Sequence, residues 1–156
     1  VRTGMPHSST RKTDSWLRQT GIVLAALGAA DAFYLWLLKF TRNEAMCVGS
    51  HGCLTVNDSL YSEIGGLPVS VLGLMAYLAI LGILVFERRS PLGAEYGPLA
   101  VFGFSLIGVI FSAYLTYLEF YVIRAVCPFC MASAVIMTLL LVLSVARLRQ
   151  QNSCSD

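Results

Sequence analysis

Four apolar stretches, at 21–40, 67–86, 98–118 and 125–146, leave this chain few ways to fold. Each approaches the roughly 20 residues needed to cross the hydrocarbon core of a bilayer. A segment surrounded by lipid must satisfy its own backbone, which a helix does and a lone strand does not. Only the first stretch carries charge, at Asp31 and Lys39. A soluble domain of 156 residues needs more polar surface than a chain that is 56% hydrophobic and 13% charged supplies. The expectation is a single all-α domain over 1–156, an integral membrane four-helix bundle with spans at about 17–40, 67–86, 98–122 and 126–147. The first span is longer than the apolar part of a cleavable signal, about 7–15 residues, and lacks a small-residue cleavage site, so it is expected to stay.

A net charge of +2 says little, but its distribution orients the chain. Arg2, Arg11, Lys12 and Arg18 precede the first span or open it, Arg88 and Arg89 separate the second from the third, and Arg147 and Arg149 end the fourth. Lys39, Arg42 and Arg124 fall on the other side. Lys and Arg concentrate in cytoplasmic loops, which predicts a multi-pass protein of the cell inner (plasma) membrane with tails 1–16 and 148–156 in the cytoplasm. The loop 41–66 and the Cys127–Cys130 segment then face the extracytoplasmic side, where disulfides persist. Cys154, in the cytoplasmic tail, receives no role.

Between the first two spans, 41–66 is longer than the roughly 2–8 residues usual between bundle helices, and such loops tend to be functional. It holds Cys47-x5-Cys53, after which Val56, Leu60, Tyr61 and Ile64 recur at helical spacing. That predicts a short amphipathic helix at the membrane surface, ended by Gly65-Gly66 and Pro68. Within the spans, Asp31 is either a carboxyl bonded to a neighbouring hydroxyl or amide, or a proton carrier. Gly73, Ala76, Ala79 and Gly82 read as sites of close helix packing, and 87–97, with Pro91, Gly93 and Gly97, as a simple turn. Phe111, Tyr114, Tyr117, Phe120 and Tyr121 near the end of the third span suit an interfacial belt or a flat aromatic ligand, and Glu119 falls in the same turn.

The chemistry is concentrated in Cys127-Pro128-Phe129-Cys130, written where loop turns into the last helix. Proline suits the first helical position, and cysteines three apart share a helix face. Unpaired N–H groups and the helix dipole there favour a thiolate. Haem attachment needs a following histidine, but Met131 stands there. A different class of reading is a non-catalytic four-cysteine metal protein, against which the wide Cys47-x5-Cys53 spacing counts. Two dithiols on one face suggest a relay by thiol–disulfide exchange. No nucleotide-binding glycine loop and no nucleic-acid signature accompany them, and the final acceptor expected in a lipid compartment is a quinone.

Taken together, Cys47-x5-Cys53, Ser59 six residues on, the small-residue second span, Tyr114-Leu115 and Cys127-Pro128-Phe129-Cys130 resemble the vitamin K epoxide reductase family in its bacterial branch, over about 17–147. DsbB-like oxidases carry the two kinds of cysteine pair in the reverse order. The resemblance implies that Cys47 exchanges with a thioredoxin/DsbA-like partner, that Cys53 shuttles to Cys127, and that Cys130 faces a quinone of the menaquinone, ubiquinone or phylloquinone type. It assigns Ser59, Leu115 and Phe129 to the quinone site. Val69 and Ala134 are apolar where vertebrate members carry an Asn and a Tyr that bond vitamin K, which counts against epoxide as the natural substrate. Many bacterial members are fused to a thioredoxin-like domain, which these 156 residues do not contain, so a separate partner is expected. The function expected is thiol oxidation by quinone in support of disulfide formation; the alternative is thiol-driven reduction of vitamin K or its epoxide.

Overall fold

The structure is a computed structural model and describes residues 8–41, 55–56, 60 and 63–153. Four helices run up and down the bundle: α1 (Ser8–Thr41), α2 (Val69–Phe86), α3 (Pro91–Leu118) and α4 (Pro128–Ser153). All four belong to segments long and apolar enough to cross a membrane. α1 packs along α2 and α4, and α4 along α3, leaving α2 against α3 as the sparsest seam. Large apolar side chains such as Leu27, Leu78, Ile107 and Val142 point outward, as expected of a bundle solvated by lipid rather than water.

The core runs along the bundle axis through Ala29, Tyr77, Ile80, Leu84, Met137 and Leu140. Tyr77 crosses from α2 to α4, its hydroxyl 2.8 Å from Ser133 Oγ and donating to Ser133 O at 3.0 Å. Gly28 makes that crossing possible, because a Cβ there would overlap the Tyr77 ring.

At the end carrying both termini, the Arg147 guanidinium of α4 reaches Asp14 of α1, Nε to Oδ1 at 2.9 Å, and Glu87 beyond α2, Nη1 to Oε2 at 3.1 Å. Arg147 and Glu87 are only 3% and 6% exposed. Leaving either charge buried alone would be strongly destabilising, so the pairing fastens three elements together. Arg88 Nη2 donates to Ser15 Oγ at 3.2 Å beside them.

Segment 87–97 is not the simple turn expected. It divides into a 3-10 turn (Glu87–Arg89) and the start of α3 seven residues before 98. Ser90 caps α3, accepting from the Gly93 N–H at 3.0 Å, and Pro91 takes the first helical position. Pro98 is therefore inside the helix, where it cannot donate to the carbonyl of Ala94. Gln151 Nε2 donates to that oxygen instead, at 3.3 Å.

Ile64 also departs from expectation. It belongs to a two-residue strand, β1 (Glu63–Ile64), paired antiparallel with β2 (Leu67–Pro68), not to a surface helix. Gly65 and Gly66 both have positive φ, 61° and 85°, which is what a two-residue turn of this hand requires and side chains resist. Lys39 Nζ binds Glu63 Oε1 at 2.7 Å and ties the hairpin to α1. Residues 55–56 are helical, and Tyr61 of the expected amphipathic helix lies outside the described residues.

Candidate active site

At the opposite end of the bundle from Arg147, α4 begins with Pro128, and Cys127 stands in the N-cap position. Cys127 O accepts from the Met131 N–H at 3.1 Å, closing the first helical turn. Its Sγ accepts from the Cys130 N–H at 3.4 Å. A thiol sulfur thus occupies the place that a serine or aspartate oxygen takes in an ordinary cap. The helix mouth expected from the Cys-Pro-Phe-Cys spelling is present, and it serves Cys127 in particular. An N–H aimed at Sγ and the positive end of the dipole both stabilise negative charge on that sulfur. Cys127 is fully buried against Leu35 and Leu38 of α1, and Cys130 sits behind it, both as thiols.

A third group joins them. α3 ends in a π-helical turn (Glu119–Ile123), closed by Arg124 in the left-handed region at φ 54°. The Arg124 and Ala125 N–H groups both return to Glu119 O. Such turns insert an extra residue and re-aim side chains, often at functional sites. Here the turn carries the Glu119 carboxyl inward, 2% exposed, where Oε2 accepts from the Cys127 N–H at 3.3 Å. Glu119 therefore bonds directly to one member of the pair and lies beside the helix turn that carries the other.

Beside this cluster lies a cavity of about 650 Å³ between α2 and α3, roofed by Val56 from the loop. That volume is typical of pockets for small organic ligands. Cys130 and Glu119 form part of its wall, with Leu115, Phe111 and Val69 among the apolar residues. Gly73, Ala76 and Ala79 line it too, so these small residues make room for the cavity, while Gly73 also faces Ala32 of α1 and Ala76 packs on the core. At Gly82 an added Cβ would meet nothing within 4 Å. Ser70 Oγ, in the wall near the start of α2, is buried without a hydrogen-bond partner among the described residues. Such an orphan donor suits a ligand carbonyl.

Of the residues singled out in the sequence, Cys127, Cys130 and Leu115 meet at this site. Phe129 does not line the cavity. One position before Cys130, it is turned about 100° around the helix and packs on Tyr34 of α1, ring centres 5.0 Å apart. Tyr114, Tyr117, Phe120 and Tyr121 are exposed, as a belt requires, whereas Phe111 turns to the cavity. Asp31 Oδ2 is buried with no partner among the described residues, and Asp31 is not part of the cavity wall. Cys47, Cys53, Ser59 and Cys154 lie outside the described residues. Glu119 and Ser70 had no assigned role from sequence; for Glu119 the available signal was an acid at the end of an otherwise apolar span, eight residues before Cys127.

Comparison with known proteins agrees with this arrangement. The chain is 32% identical over 127 residues to the thiol-disulfide oxidoreductase LTO1 of Arabidopsis thaliana, a match covering 78% of this chain and 34% of the relative. The chain thus spans about a third of that protein's length. Residues 20–145 match the vitamin K epoxide reductase family. A bundle of membrane-length helices with a Cys-x-x-Cys pair capping the last of them, matched over most of its length, places the chain in the vitamin K epoxide reductase family.

Proposed function

We propose that this protein is a membrane thiol:quinone oxidoreductase. Electrons pass from a thioredoxin/DsbA-like partner through Cys47 and Cys53 to Cys127 and Cys130, and on to a membrane quinone, in support of disulfide formation. The observation that carries the reading is the position of Cys130 in the wall of an apolar cavity of about 650 Å³, with its partner thiol capping the same helix. The walls suit a flat, lipid-soluble ring: Phe111, Leu115 and Val69 offer apolar surface, and Ser70 Oγ offers a donor for a ring carbonyl. A bound quinone would supply a two-electron, two-proton acceptor. The protein's part is to hold the ring beside Cys130, to keep water from it, and to stabilise Cys127 as a thiolate through the Cys130 N–H.

The plant relative's thiol-disulfide oxidoreductase activity supports the dithiol half of this scheme. The distribution of Lys and Arg supports a plasma-membrane orientation with both termini cytoplasmic and the cysteine end outside. Thiol-driven reduction of vitamin K epoxide is the second reading, and Val69 in the cavity wall, offering no hydrogen bond, disfavours it.

Quinone reduction by dithiothreitol in the purified, lipid-reconstituted protein tests the proposal. Cys127→Ala and Cys130→Ala are expected to fall to the uncatalysed background, while Cys47→Ala keeps activity with dithiothreitol and loses it with a protein dithiol. Normal turnover by Cys130→Ala would refute the assigned order.

A further inference from the structure

Closing a dithiol to a disulfide breaks two S–H bonds, and the site must say where those protons go. Cys127 has the helix N-terminus to stabilise it as a thiolate, so its proton can leave for water beforehand. Cys130 has no such help: it is the third residue of α4, its own N–H is engaged by Cys127, and it lies against an apolar cavity. What does face it is Glu119, the carboxyl among the described residues that lines that cavity. Glu119 accepts from the Cys127 N–H and shares the cavity wall with Cys130, the titratable side chain nearest it on α4. No Lys, Arg or His side chain pairs with this carboxyl among the described hydrogen bonds and ion pairs. Glu87, by contrast, is consumed by Arg147.

We propose that the Glu119 carboxylate is the catalytic acceptor of the Cys130 thiol proton, and holds that proton at the cavity wall for delivery to the oxidant. In balance, the Cys130 S–H bond breaks and its proton moves to a Glu119 oxygen, one S–S bond forms between Cys127 and Cys130, and two electrons leave to the oxidant. With a quinone, on the functional reading above, hydroquinone forms from those two electrons, the proton released by Glu119 and one proton from water. The Cys127 N–H bond to Oε2 orients the carboxyl for this transfer, and the π-helical turn supplies the inward placement that a regular helix end would not.

The test uses the full chain with Cys47, Cys53 and Cys154 replaced by alanine, so that only the inner pair is followed. Fully reduced protein is oxidised by a short-chain benzoquinone and, separately, by DTNB, and the rate of Cys127–Cys130 closure is read alongside alkylation of Cys127 by N-ethylmaleimide. Loss of a positioned general base costs roughly 10²–10⁴-fold, so Glu119→Gln should slow closure by about 100-fold or more with either oxidant. Alkylation of Cys127 should be no slower, because its thiolate is stabilised by the Cys130 N–H and the helix N-terminus and does not pass its proton to Glu119. A merely structural role would slow both together, and that result overturns the proposal, as does closure within about threefold of the parent. If Glu119→Gln fails to fold, Glu119→Ala with added formate replaces it: recovery of closure supports the assignment, and none refutes it. Failure of the parent to react with benzoquinone while closing with DTNB would refute the proposed function alone, and the DTNB rates would still decide the role of Glu119.

Discussion

Each end of the bundle buries a glutamate, and the two are used in opposite ways. Glu87, 6% exposed, is neutralised by Arg147 and tied through it to Asp14, so three elements are fixed by one cation. Glu119, 2% exposed, has two cysteines for company instead, accepting the backbone N–H of Cys127 and sharing the cavity wall with Cys130. A carboxylate given a permanent counter-charge contributes to structure and cannot easily change its protonation. One given exchangeable hydrogens can. The same contrast holds for the surroundings, since the terminus end is closed by side chains while the cysteine end opens on the cavity between α2 and α3.

Breaking the closed end should give the largest stability change. Arg147→Met strands a buried carboxylate and is expected to cost about 3–5 kcal/mol, read by denaturant melting in detergent. Below the melting transition, Cys130 alkylation should match the wild type; a neutral Arg147→Met would erase the distinction between the two ends. Next comes the middle of the bundle. Gly28→Ala places a Cβ into the Tyr77 ring, and overpacking of this kind costs about 1–3 kcal/mol, visible in the same melts. Ser90→Ala removes the cap of α3 and should cost about 1 kcal/mol. The smallest effect is expected at Lys39, whose bond to the half-exposed Glu63 is screened. Lys39→Ala should change stability by less than about 1 kcal/mol, and a larger loss would mean that the hairpin is held as firmly as the terminus end.

Much of the architecture was legible because its causes are local. Twenty apolar residues announce a span wherever they occur, and Cys127-Pro128 announces a helix mouth because proline at the first position and a capping group before it depend on neighbours alone. What the sequence hid depends on what stands opposite. Pro98 looked like a helix start, and became tolerable inside α3 because Gln151, over fifty residues away, takes the carbonyl it leaves unpaired. Gly73, Ala76 and Ala79 looked like a packing stripe, and Gly73 and Ala76 do pack, yet all three also enclose space where they face the sparse seam. Ile64 fitted a helical period, but the glycine pair after it turned the segment back on itself as a hairpin. Glu119 was visible as a residue and invisible as a neighbour of the thiols, because a π-helical turn is not signalled by spacing or composition. Phe129 was assigned to the quinone site by resemblance, whereas its place on the helix turns it to Tyr34.

In the proposed scheme electrons leave the protein from the Cys127–Cys130 pair to a ring in the adjoining cavity. The most direct measurement of that step is an anaerobic single turnover of the fully reduced protein with one equivalent of a short-chain benzoquinone, followed by alkylation and peptide mapping. Hydroquinone is predicted to appear at the rate at which Cys127 and Cys130 become joined and resistant to alkylation. Quinone consumed while both thiols remain open to alkylation, or equally by a protein carrying Cys130→Ala, would contradict it.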